Sequence, residues 1–277
     1  MSFPMLEGRA FWFGLGVTVA CEIIASLYRR AKERAAGEAC VMPPRVPQPA
    51  LAAGLCGAAA LLAAAPPASV VDTRTIAGIA IGGMFPLAAG LLSDIKRPSS
   101  ERHLAALAAG VAVAAGVGVL IPYTGFFGIA PAMEFAPIAS LAVTALWFFI
   151  VASIVELAGL FPAFAGLVAL VLSGLAWGLG AELVLPAGEA MPPLVFGAVL
   201  GRAVAGIVFG GGRMLDKSEV LTLGYFCAVL TTLSFTKSFA IASVILPIGL
   251  VAVVIVILVM RAFERSLLLR PTPRGEG

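Results

Sequence analysis

The chain has 277 residues, 61% of them hydrophobic and only 12% charged, with a formal net charge of +3 and a mean hydropathy of +1.06. A water-soluble protein of this length would need far more polar surface. One histidine, and four cysteines without C-x-x-C spacing, argue against haem, a zinc site or a disulfide scaffold, and nothing in the modest charge points to nucleic acid.

The apolar residues come in long blocks, several reaching the roughly 20 residues that cross hydrocarbon. A β-barrel would instead alternate in segments of about ten residues. The expected fold is all-α: a polytopic transmembrane helical bundle of about nine spans (eight to ten), forming one domain over 1–277. The first span, near 9–28, is FWFGLGVTVACEIIASLY with its flanks, followed by the cluster RRAKER. It starts too late and runs too long for a cleaved signal peptide, so it reads as a retained anchor. RAKERAAGEA predicts a helical extension beyond the membrane, ended by MPPRVPQP through proline constraint.

The remaining spans fall near 48–66, 74–92, 104–122, 136–155, 159–178, 194–212, 219–236 and 238–260. AAGLCGAAALLAAA in the second, and Gly197, Gly201 and Gly206 of GAVLGRAVAG in the seventh, are small-residue stretches that let helices approach closely. With the N-terminus outside, 14 of the 18 Lys and Arg fall on the cytoplasmic side, in segments 29–47, 93–103, 213–218 and 261–277. The positive-inside bias therefore predicts N-outside, C-inside, with a short cytoplasmic tail from about 261. An inner (cytoplasmic) membrane location, multi-pass, follows.

Few polar residues remain to carry chemistry. Asp94 ends the third span beside Lys96, Arg97, Arg102 and His103, a mixture suited to a phosphate or to Mg²⁺. One carboxylate cannot fix the ion, and Asp216, in GGGRMLDKSE on the same predicted side, is the candidate second ligand. Each of these also reads simply as a solvated helix end, and so does Glu156. Glu22 and Arg202 lie inside spans, where an isolated charge needs a partner, water or a lipid headgroup. They are candidates for lipid or partner-subunit contact. A mutual pair would satisfy both, although nothing in the sequence sets their helices side by side. Arg261 and Arg265, four apart in RAFERSLLLRPTPRGEG, are candidates for headgroup or partner contact in the tail.

The order of motifs resembles the polyprenyl-phosphate N-acetylhexosamine-1-phosphate transferases from about residue 40 onward. PPRVPQPALAAG is similar to that family's Pro-Arg-x-Gly-Gly-like turn, and GLLSDIKRPSSERHLAAL to its Gly-Leu-Leu-Asp-Asp block. Ser93 then stands at the first aspartate, Asp94 at the second, His103 at the usual lysine and Leu107 at the usual glutamine. ELAGLFPAFAGL places Glu156, Gly159, Pro162 and Ala165 at four positions that are polar in the family, keeping only Gly166 and Leu167. FGAVLGRAVAGIVFGGGRMLDKSEVLTLGY resembles the later metal-binding turn, with Asp216 at the ligand aspartate, and the family's histidine-rich loop has no counterpart.

The resemblance implies a helical membrane fold with its loops gathered at a cytoplasmic face. It implies a reaction moving a sugar 1-phosphate from a UDP-sugar to polyprenyl phosphate with Mg²⁺. Substitution at Ser93 and across 159–165 removes groups that would stabilise transition-state charge, each worth two or more powers of ten. The first expectation is therefore a catalytically impaired relative without a cofactor, serving as an accessory subunit among membrane lipids and other membrane subunits. An active Mg²⁺-dependent transferase, with Asp94 and His103 catalytic, and a lipid or small-molecule carrier remain the alternatives.

Overall fold

A computed structural model describes residues 8–36, 49–64, 73–95, 100–121, 123–124, 133–134, 136–158, 186–209 and 215–235. Seven α-helices make up nearly all of this: α1 (Arg9–Ala36), α2 (Ala50–Ala64), α3 (Thr73–Ile95), α4 (Ser100–Gly116), α5 (Pro137–Ala158), α6 (Pro186–Phe209) and α7 (Lys217–Phe235). Between α4 and α5 lies one antiparallel pair of two-residue strands, β1 (Tyr123–Thr124) and β2 (Met133–Glu134), with Tyr123 opposite Glu134.

The segments Arg9–Lys32, Thr73–Ile95, Pro137–Glu156 and Met191–Val208 are each long and apolar enough to cross a membrane. Helices also stand at the predicted second, fourth and eighth spans, as α2, α4 and α7. The predicted spans 159–178 and 238–260 lie outside the described residues, as does the tail with Arg261 and Arg265.

Helix α1 shows why these helices belong in a bilayer. Ala10, Gly14, Thr18, Glu22 and Ser26 recur every fourth residue and are buried, whereas Trp12, Ile24, Leu27 and Tyr28 face outward and are exposed. Fourfold spacing keeps the small and polar set on one face. In water that polarity would be inside out. In hydrocarbon the large side chains meet lipid and the small ones let neighbouring backbones close in.

Helices α1 and α6 run parallel and approach closely. A side chain on Gly197 would strike the Phe11 carbonyl oxygen, one on Gly201 would meet the Leu15 carbonyl oxygen at 2.8 Å, and one on Gly14 would strike that of Leu194. The small-residue reading of GAVLGRAVAG is thus realised as a helix contact, and Gly54 of α2 likewise abuts Thr18 of α1.

Helix α7 forms the centre, with every residue from Ser218 to Leu230 buried. Tyr225 is its anchor, edge-on to Phe148 of α5 at 5.6 Å and donating its hydroxyl to the Ile79 carbonyl of α3 at 3.3 Å. Trp147 of α5 donates to Thr231 Oγ1 at 2.8 Å. At the far end, α4 closes on Gly118, whose φ of +92° is the left-handed conformation that glycine favours. Val119 N–H reaches back to the Ala114 carbonyl and Gly118 N–H to that of Ala115, which satisfies the last carbonyls of the helix. Ser140 and Thr144 of α5 then fix the following chain through Ile121.

Candidate functional site

Four helix ends meet at one end of the bundle: the C-termini of α3 and α5 and the N-termini of α4 and α7. Their polar residues are those the sequence singled out, together with Lys217, Ser218 and Glu219. Both oxygens of Asp94 are engaged. Oδ1 accepts the Lys217 backbone N–H at 3.0 Å, and Oδ2 accepts the Ser218 N–H at 3.2 Å and its hydroxyl at 2.8 Å. The first amides of a helix have no partner within it, so Asp94, projecting from α3, caps α7 from outside. Its negative charge also faces the positive end of the α7 dipole. A side chain at Gly90, one turn earlier, would collide with the Ser218 backbone, so glycine there lets α7 reach the carboxylate.

The start of α7 is secured a second time by its own sequence. Asp216 occupies the N-cap position, its carbonyl accepting from Val220 at 3.0 Å, while Glu219 Oε2 accepts the Asp216 N–H at 3.3 Å. Asp-x-x-Glu ahead of an apolar run is a capping-box signature, and LDKSEVLTLGYF carries it openly.

Around this cap, Lys217 Nζ and Glu156 Oε1 pair at 2.6 Å, with 45% and 38% of their side chains exposed. At that exposure the pair contributes about 0–1 kcal/mol. Ser93 Oγ and His103 Nε2 lie 2.6 Å apart, tying the end of α3 to the start of α4. Burial lowers the His103 pKa from its ordinary 6.5, aided by Lys217 and opposed by Glu156 and Asp94. The folded state thus resists a proton that the unfolded chain accepts, so stability is lost as pH falls below 6.5. Thermal unfolding across that range is expected to show this loss in the wild type and a flatter profile in His103→Gln.

Arg102 is exposed on the first turn of α4. Lys96, Arg97, Gly159, Pro162 and Ala165 lie outside the described residues.

One level deeper, α1, α6 and α7 bring three charges together. Arg202 Nη1 donates to Glu22 Oε1 at 3.0 Å, and its Nε lies 3.4 Å from Glu219 Oε1. Glu219 Oε1 also accepts the Leu51 N–H at 3.1 Å, so this carboxylate caps the first turn of α2. Glu22 and Arg202, candidates for lipid or partner-subunit contact that a mutual pair would also satisfy, are turned inward and paired with each other. The reason is geometric, since α1 and α6 approach through Gly14, Gly197 and Gly201 and carry the two charges to the same level. Sequence reasoning did not single out Glu219, although the Asp-x-x-Glu spacing was the signal for it.

The Mg²⁺ that the transferase resemblance implies would have to compete with α7 for Asp94, whose oxygens already accept two amides and a hydroxyl. The arrangement holds helix termini and balances buried charge. No protein-family model matches the chain, and no curated protein or solved structure matches it significantly. The likeness to the polyprenyl-phosphate transferases therefore stands on its motif pattern alone.

Proposed function

We propose that this protein is a non-catalytic, multi-pass subunit of a membrane assembly, built on a transferase-like bundle whose interfacial carboxylates hold its own helices together. The observation that carries this reading is the triple use of Asp94. A carboxylate that accepts two backbone amides and a hydroxyl gives three of its roughly four acceptor sites to the fold. Ser93, at the position of the family's first aspartate, is likewise occupied with His103.

In this reading the chain makes nine crossings with the N-terminus outside and the C-terminus inside, in an inner-type membrane. The meeting of Ser93, Asp94, His103, Glu156 and Lys217 at one end supports the assignment of these segments to one side. The return crossing at 159–178 and the last at 238–260 belong to this reading, as does contact of Arg261 and Arg265 with headgroups or a partner subunit.

The test separates a capping aspartate from a catalytic one. Purified protein is incubated with Mg²⁺, polyprenyl phosphate and a panel of UDP-sugars, and the expected result is no turnover above a protein-free control. Asp94→Ala should lower stability by about 0.5–2 kcal/mol, the range for losing a helix cap, seen as a lower thermal midpoint in detergent. Turnover that vanishes in a stably folded Asp94→Asn variant would overturn the reading and restore the active transferase.

A further inference from the structure

The Glu22–Arg202–Glu219 cluster sets one guanidinium against two carboxylates deep in the bundle. Glu22 is 5% exposed, Glu219 1%, and the Arg202 side chain 12%. With both acids ionised, one negative charge is left over where water cannot screen it, and such a charge is expelled, neutralised or paired.

The hydrogen bonds show how the two carboxyls are held. Glu219 Oε1 receives the Leu51 amide and faces the Arg202 charge, while Oε2 receives the Asp216 amide. Two of these amides belong to the starts of α2 and α7, whose dipoles also favour a negative group. Glu22 Oε1 receives Arg202. Of the four carboxylate oxygens, only Glu22 Oε2 is buried with no hydrogen-bond partner. One turn earlier on the same face of α1, the fully buried Thr18 Oγ1 is also unpartnered.

We propose that the Glu22–Arg202–Glu219 cluster is a buried proton-binding site, whose two carboxyls take up one proton between them when α1 is seated against α6 and α7. The proton brings the cluster to neutrality, and its loss sets two carboxylates against one guanidinium and loosens α1. Cys21 adjoins Glu22 along α1, Asp216 lies beyond Glu219, and Asp94, Glu156 and Lys217 form the polar rim at the N-terminus of α7. Helix α2, which packs against α1 and α7, brings no charged residue. The site is independent of the structural role assigned to Asp94.

Infrared difference spectra of the full-length protein in detergent, recorded on a pH jump in H₂O and D₂O, test this directly. The wild type should show a protonated-carboxyl band that shifts in D₂O and vanishes at high pH. Glu22→Gln, which mimics the protonated side chain, should remain folded and lose the band. Glu219→Gln, which removes the surplus charge from the other side, should also lose it, and it secures the result if Glu22→Gln does not fold. Thermal stability of the wild type should fall as pH rises through this deprotonation, the opposite sense to the His103 effect, and Glu22→Gln should lack that fall. A wild type without the band, or a band retained in folded Glu22→Gln, overturns the proposal. So does a stabilisation specific to sodium over choline chloride that Glu22→Gln abolishes, because the site would then take a metal cation.

Discussion

Arg202→Gln is expected to be the most damaging single substitution in the described part of the protein. It withdraws the guanidinium that faces both Glu22 and Glu219 and leaves two carboxylates in a nearly dry interior. Breaking a buried pair by removing one partner costs about 3–5 kcal/mol, because the remaining charge is uncompensated. That exceeds the loss from any exposed pair, including Lys217–Glu156, at about 0–1 kcal/mol. The pH response of the variant identifies the cause. Without the guanidinium both carboxyls need protons, so Arg202→Gln should regain part of its stability as pH falls, by the linkage of proton binding to folding. A double variant Glu22→Gln/Arg202→Gln leaves one carboxylate, held by two amides, and should be more stable than Arg202→Gln alone. The comparison is read from thermal unfolding in detergent at matched pH. A loss under 1 kcal/mol, or one indifferent to pH, would mean that water reaches the cluster and that its charges are not buried in the sense argued here.

The same cluster shows how far the sequence could be read. Apolar block length was enough to locate helices, because a bilayer demands long stretches without charge whatever packs beside them. The third predicted span, 74–92, corresponds to Thr73–Ile95, and the eighth, 219–236, to Lys217–Phe235. The glycines of GAVLGRAVAG were legible as packing sites for a similar reason: a helix that lacks side chains at fourfold spacing invites a neighbour. The identity of that neighbour was not legible. Glu22 and Arg202 stand 180 residues apart, and only the docking of α1 on α6 shows that each is the partner the other required. An acid among bases at a helix end suits phosphate chemistry and a solvated helix end alike, so the residues around Asp94 predict both. Its work as a cap depends on amides 123 and 124 residues further on, which spacing in the chain does not reveal. Asp216 and Glu219 were different, since their capping contact is local and written in four consecutive residues.

Gly197→Leu should be the next most damaging change, and it acts where α1 and α6 touch. An added side chain at Gly197 meets the Phe11 carbonyl oxygen, with the Leu15 backbone nitrogen at 3.1 Å. These are main-chain atoms of a helix, which cannot rotate aside as a side-chain tip would. The only relief is to move α1 away from α6. Overpacking of this kind costs about 1–3 kcal/mol, and the separation also lengthens the contact between Glu22 and Arg202, because Arg202 follows Gly201 on the same face of approach. Gly197→Leu should therefore lower the thermal midpoint and, in infrared spectra, diminish the carboxyl band assigned to the cluster. Gly16→Leu is the control. That glycine is on α1 but exposed, with nothing near enough to meet a new side chain, and leucine is the better helix former by about 1 kcal/mol. It should leave the midpoint unchanged or raise it slightly. Equal effects of the two substitutions would show that the α1–α6 contact is not the close one described, and the proton site that depends on it would then lose its footing.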